Sequence, residues 1–171
     1  MNYLSKMFAF LLSVILLFIV PAYRICWVTD QAVSKQVNYD TCEFVNNVRH
    51  KGFVSRRMYE DFVGKLSNTG YVYDIEMKHL KEVWDYVPNI SSPDGYETAN
   101  FFDEYPTEYI LKDIFSSEED RYFMHKGDSF VVSITNKSKT GSMVFMNFLG
   151  DNGFVSSIFT KYGGMITNED Y

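Results

Sequence analysis

Three histidines, two cysteines and a few acidic clusters are the groups in this chain that could carry chemistry. His50, His79 and His125 fall in different segments and lack the close spacing of zinc ligands, so all three read as surface histidines. Ser116-Ser117-Glu118-Glu119-Asp120 offers oxygen ligands of the kind calcium takes, but not at the spacing of an EF-hand loop, and it reads as a solvated turn. Asp151-Asn152-Gly153 reads as a turn for the same reason. There is no Gly-x-Ser-x-Gly elbow and no phosphate loop. Cys26 and Cys42 make neither a disulfide framework nor a zinc pattern. On one continuous helix they would stand about 24 Å apart, too far to bond. They are expected to be buried or lipid-facing thiols, with a bond between chains as the alternative. No catalytic, cofactor-binding or metal site is assigned, no cofactor is implied, and no enzyme is expected.

The elements that would position these groups begin with an uncharged apolar run. Met7 to Tyr23 carries no charge, and Arg24 is followed by Ile25, Cys26, Trp27 and Val28. Read as a helix through Val28, the segment is about 33 Å long, which matches the hydrocarbon thickness of a bilayer. Arg24 can snorkel to headgroups, and Tyr23 and Trp27 sit where interfacial aromatics belong. A cleaved signal peptide is the rival reading, but the small-x-small cleavage pattern is missing. Residues 1–29 therefore read as an uncleaved anchor with a transmembrane stretch at about 7–28. Pro21 lies inside it and removes one backbone donor.

The helical period continues beyond the apolar run. Val33, Val37, Thr41, Phe44 and Val48 recur every three or four residues, Cys42 and Val45 widen the stripe, and polar residues fill the intervals. Residues 30–51 thus read as an amphipathic helical stalk, and Gly52 is its expected stop.

Residues 52–171 read as a soluble α+β domain. Ser55 is the expected cap of a helix over 56–68, with Met58, Tyr59, Phe62, Val63 and Leu66 on its apolar face. Tyr71, Tyr73, Ile75 and Met77 alternate with polar residues as a half-buried strand. Pro88, Ser91, Ser92, Pro93 and Gly95 mark residues 86–100 as a loop. Pro106 opens a third helix, and residues 122–125 and 129–135 form a hairpin around Lys126-Gly127-Asp128. Short helices are expected at 143–149 and 155–162, with 165–168 closing the sheet. Tyr162-Gly163-Gly164 suggests a bulge. Asn89-Ile90-Ser91 and Asn136-Lys137-Ser138 match the glycosylation triplet. The expected architecture is α+β: a long N-terminal transmembrane-plus-amphipathic helix, then an antiparallel sheet of three or four strands packed on helices.

Charge separates the two parts. The net charge is −6, yet residues 1–29 hold Lys6 and Arg24 and no acid, so every acid lies in the soluble part. An acidic domain is repelled by phosphate backbones, which argues against nucleic acid as a partner. Membrane contact must come from the apolar segment. The short N-terminus and acidic bulk favour a single-pass protein with its domain outside the cytoplasm.

Several stretches carry a resemblance: Tyr3-Leu4-Ser5-Lys6-Met7-Phe8-Ala9-Phe10, Phe44-Val45-x-x-Val48-Arg49, Lys51-Gly52-Phe53, Tyr73-Asp74-Ile75, Lys126-Gly127-Asp128 and Tyr162-Gly163-Gly164-Met165-Ile166. Together they resemble single-span membrane proteins of clostridia and related Gram-positive bacteria that look like minor pilins or pseudopilins of the tight-adherence (Tad) type. The resemblance implies a non-enzymatic part of a pilus-like or secretion assembly, with other membrane or pilin-like proteins as partners through the N-terminal helix. Pilin precursors of this type usually carry Gly at the processing site and Glu early in the apolar run, whereas residues 1–29 contain neither. The alternative is a membrane-tethered binding module that captures a ligand with residues 86–104 or near the glycine-rich C-terminal stretch.

Overall fold

The structure is a computed structural model that describes residues 3–88 and 96–168. The triplet at Asn89 and the centre of the expected loop lie outside those residues.

Helix α1 (Tyr3–Lys51) is unbroken for 49 residues, about 73 Å. It runs through Pro21 and stops where Gly52 takes a positive φ of 75° and donates its N–H to the Val48 carbonyl at 2.8 Å. Its two halves meet different surroundings. Residues 3–18 are exposed on every side, whereas Val37, Thr41, Phe44, Val45 and Val48 are buried. Residues 30–51 therefore form the central helix of the head.

The head is built against that half. Strand β1 (Phe53–Ser55) leads into α2 (Arg56–Ser67), whose first turn is capped by the Ser55 hydroxyl accepting from the Met58 N–H. Then follow β2 (Tyr73–Pro88), β3 (Tyr96–Pro106), α3 (Thr107–Ser116), β4 (Arg121–Phe123), β5 (Ser129–Asn136), α4 (Gly141–Phe148) and β6 (Phe159–Met165). The main sheet is antiparallel, in the order β3-β2-β5-β6, and β1 pairs with β4 in a separate two-stranded ribbon. Met77 of β2 and Phe130, Val132 and Ile134 of β5 face α1 and α2, where Phe44 stacks on Phe62 at 4.4 Å and meets Phe130 edge-on.

Polar contacts seat α1 on β6 along its length. Asn38 donates to Thr160 Oγ1 at 2.7 Å, Tyr162 donates to Asn46 Oδ1 at 3.4 Å, and Arg49 Nε donates to the Met165 carbonyl at 2.9 Å. Gly164 makes the last contact possible, because a Cβ there would lie 2.7 Å from the Arg49 guanidinium.

Five expectations fail here. Residues 155–162 are not a helix. Val155, Ile158, Phe159 and Tyr162 have helical spacing, but from Phe159 onward the chain pairs with β5. That strand ends at Met165, so it is residues 159–165, rather than 165–168, that close the sheet. The expected hairpin at 122–135 is also absent: β4 pairs with β1, and β5 with β2 and β6. The loop at 86–100 shrinks, since strand pairing continues to Pro88 and resumes at Tyr96. Prolines are tolerated at such a strand end. Finally, the β5–β6 register runs without interruption past Gly163 and Gly164, so the glycines permit close approach rather than a bulge.

Two glycine substitutions test this packing. Gly64 lies within α2 with open space around it, so Gly64→Ala should stabilise the chain by about 0.5–1 kcal/mol. Gly164→Val should cost about 1–3 kcal/mol by displacing Arg49. Thermal unfolding of the detergent-solubilised chain reads both.

Candidate functional site

Three regions could carry function: the junction between the two halves of α1, a buried histidine network, and a groove beside α2.

At the junction stands Asp30, 3 % exposed. It accepts from the Tyr71 hydroxyl at 2.8 Å and from the Gly141 and Ser142 N–H groups at 3.1 and 2.8 Å. The last two are the first amides of α4, so the carboxylate also neutralises that helix's positive end. Burial alone would push the Asp30 pKa up, but the hydrogen bonds from Ser142, Tyr71 and Gly141 outweigh it and hold the carboxyl below its ordinary value. Below Asp30, α1 is the one helix among the described residues long and apolar enough to cross a membrane, with a mean hydropathy of 2.3 over its best window and none of that window buried. That exposure sets it apart from the core helix of a soluble protein.

The second region overturns the reading of His79 as a surface residue. His79 is 3 % exposed. Its Nε2 lies 2.9 Å from Asp128 Oδ2 and its Nδ1 2.6 Å from the Tyr122 hydroxyl. A carboxylate only accepts, so Nε2 carries the proton and Nδ1 accepts from the phenol. Asp128 also accepts from the His125 and Glu82 N–H groups, and Tyr105 stacks on the imidazole. Burial lowers the His79 pKa against the pull of Asp128, and burial raises that of Tyr122 far above its usual value. A tyrosine held so firmly in its protonated form is a poor nucleophile, and the network reads as a closed structural one. His79 was legible: it shares the parity of Tyr73, Ile75 and Met77 on the inward face of β2. His50 and His125 are exposed as expected.

The third region is a surface groove between α1 and α2 of about 570 Å³, lined by Asp40, Glu43, Phe44, Asn47, Met58 and Lys65. A neighbouring hollow of about 720 Å³ shares Asp40, Glu43 and Lys65 and extends it to Val33 and Tyr39. The Lys65–Glu43 ion pair, 2.7 Å, crosses it.

The remaining candidates stay apart. Among the described residues no group of three or more His, Cys, Asp or Glu could hold a metal ion. Ser117 caps the turn at 117–121 through its own hydroxyl, and Asp151 accepts from Gly153 N–H in a local turn. Cys26 and Cys42 are free thiols. Asn136 Nδ2, the atom a glycan would occupy, is buried within the fold, so the triplet at Asn136 does not present its acceptor. Residues 96–104 lie in β3, and the glycine-rich C-terminal stretch lies in β6.

No family model, no characterised protein and no solved structure matches the chain.

Because the folded His79 pKa lies below its ordinary value of 6.5, the unfolded chain takes up a proton first as pH falls. Stability from this group is complete above about pH 6.5 and is lost on acidification through the folded pKa. His79→Gln should therefore flatten the stability–pH curve between pH 7 and 5, while costing about 1–3 kcal/mol at neutral pH. Chemical unfolding across that range decides it. Asp30→Ala leaves the α4 amides and the Tyr71 hydroxyl without their acceptor and should cost about 1–3 kcal/mol, with faster hydrogen exchange concentrated in α4.

Proposed function

We propose that this chain is a single-pass, membrane-anchored and non-enzymatic component of a pilus-like or secretion assembly, with its head outside the cytoplasm. The observation that carries the reading is the continuity of α1, whose exposed apolar half passes without a break into the core of the head. Such a helix offers an apolar surface to lipid or to the helices of neighbouring subunits while holding the head at a fixed height. Retention of the anchor is supported by the contact of Tyr23 with Phe145, since cleavage beyond this point would strip Phe145 of its aromatic partner. The closed network at His79 supports a non-catalytic head.

The groove between α1 and α2 favours a second reading, a tethered module that binds a ligand or protein there. Deleting the gene in its host separates the two. The assembly reading requires fewer surface filaments or reduced secretion, restored by the full chain. Unchanged output on both measures would rule it out and leave the binding module.

A further inference from the structure

The head carries one helix whose surroundings α1 alone does not explain. Among residues 3–29, Ile19, Ala22, Tyr23 and Cys26 are the partly covered ones, and they lie on a single stripe of α1 that continues to buried Asp30. Helix α4 lies along this stripe. It starts at the level of Asp30, which binds its first amides, and Phe145 has reached Tyr23, with ring centroids 6.1 Å apart. Asp30 to Tyr23 is about 10 Å along α1. So α4 runs back down α1, towards the apolar half, and Phe148 and Leu149 continue in the direction of Ile19.

The part of α4 that α1 leaves uncovered is apolar and bare. Phe148 is 85 % exposed, and Val144 and Leu149 are exposed as well. Thr140 to Gly150 contains no charged residue. Beside this helix, the Arg24 guanidinium lies over the Trp27 ring at 5.2 Å, a pairing suited to the headgroup layer. The height of α4 is therefore the height at which α1 leaves the hydrocarbon. Val20 and Ile25, on either side of Tyr23 in α1, are exposed as Phe148 is.

We propose that α4, with Phe148 and Leu149 at its tip, is a second membrane-inserted element, wedged beside α1 into the acyl and glycerol region of the leaflet the head faces. The proposal rests on α1 being the anchor. The occupant is lipid rather than another polypeptide because the exposed face continues the lipid-facing surface of α1 at the same depth. The absence of basic residues on α4 means that apolar burial holds it there, without headgroup charge.

The test uses the full chain with Cys26→Ala and Cys42→Ala, reconstituted in vesicles of phosphatidylcholine and phosphatidylglycerol. A single environment-sensitive fluorophore is placed through Phe148→Cys, Val20→Cys or Lys112→Cys, the last exposed on α3, which packs on β4 at the end of the head where α1 stops. Brominated acyl chains and aqueous iodide serve as quenchers. The expected result is loss of fluorescence to bromine and protection from iodide at both 148 and 20, with the reverse at 112. Quenching of 148 by iodide while 20 remains in lipid would overturn the wedge and leave the anchor. Protection of 148 from both quenchers would mean a protein cover and overturn the lipid assignment. Access of iodide to 20 would remove the anchor and the wedge together.

Discussion

One helix carries two surfaces of opposite character. Residues 3–18 of α1 present apolar side chains in every direction, a pattern that water does not tolerate, whereas residues 30–51 present a stripe that the sheet and α2 cover. The sequence changes character over the short stretch between them, and the rest of the head follows from that change. Strands β5 and β6 lie where the stripe is, α2 closes over Phe44, and the two-stranded ribbon sits at the end where Gly52 releases the chain.

The boundary itself is managed by a charge. A buried carboxylate is costly unless its oxygens are occupied, and those of Asp30 are occupied by three donors from two other segments. This solution fixes α4 relative to α1 at the point where the exposed apolar half of the helix gives way to the half that the head covers. Asp128 repeats the device at the opposite end of the head, where one carboxylate gathers His79 and the His125 and Glu82 amides. In both places the polar groups close on one another and leave little unsatisfied chemistry behind.

The long helix, its stop at Gly52, the cap at Ser55 and the alternation in β2 and β5 were legible because each depends on neighbours a few residues apart. Most of the failures are long-range. Whether β4 pairs with β5 or with β1 depends on where α1 ends in space, and no local pattern encodes it. Val155 to Tyr162 carries helical spacing, but from Phe159 the chain meets an open strand edge, and the edge wins. No local pattern marks Asp30 as a buried anchor point, since its three donors lie 41 to 112 positions away. The burial of His79 could have been read from its parity, had a histidine not been assumed to face water.

The contacts between α1 and β6 also govern how the head would bear a load. Asn38, Asn46 and Arg49 bond to β6 and its end at intervals along the helix, and β6 runs in the same direction as α1. A pull that draws the helix out of the head along its axis would stretch these bonds, and the packing between them, all at once. They cannot open one after another from an end, as a zipper does. Resistance in this shear geometry is shared across the whole contact, so the chain would yield to tension only when most of the seam fails together.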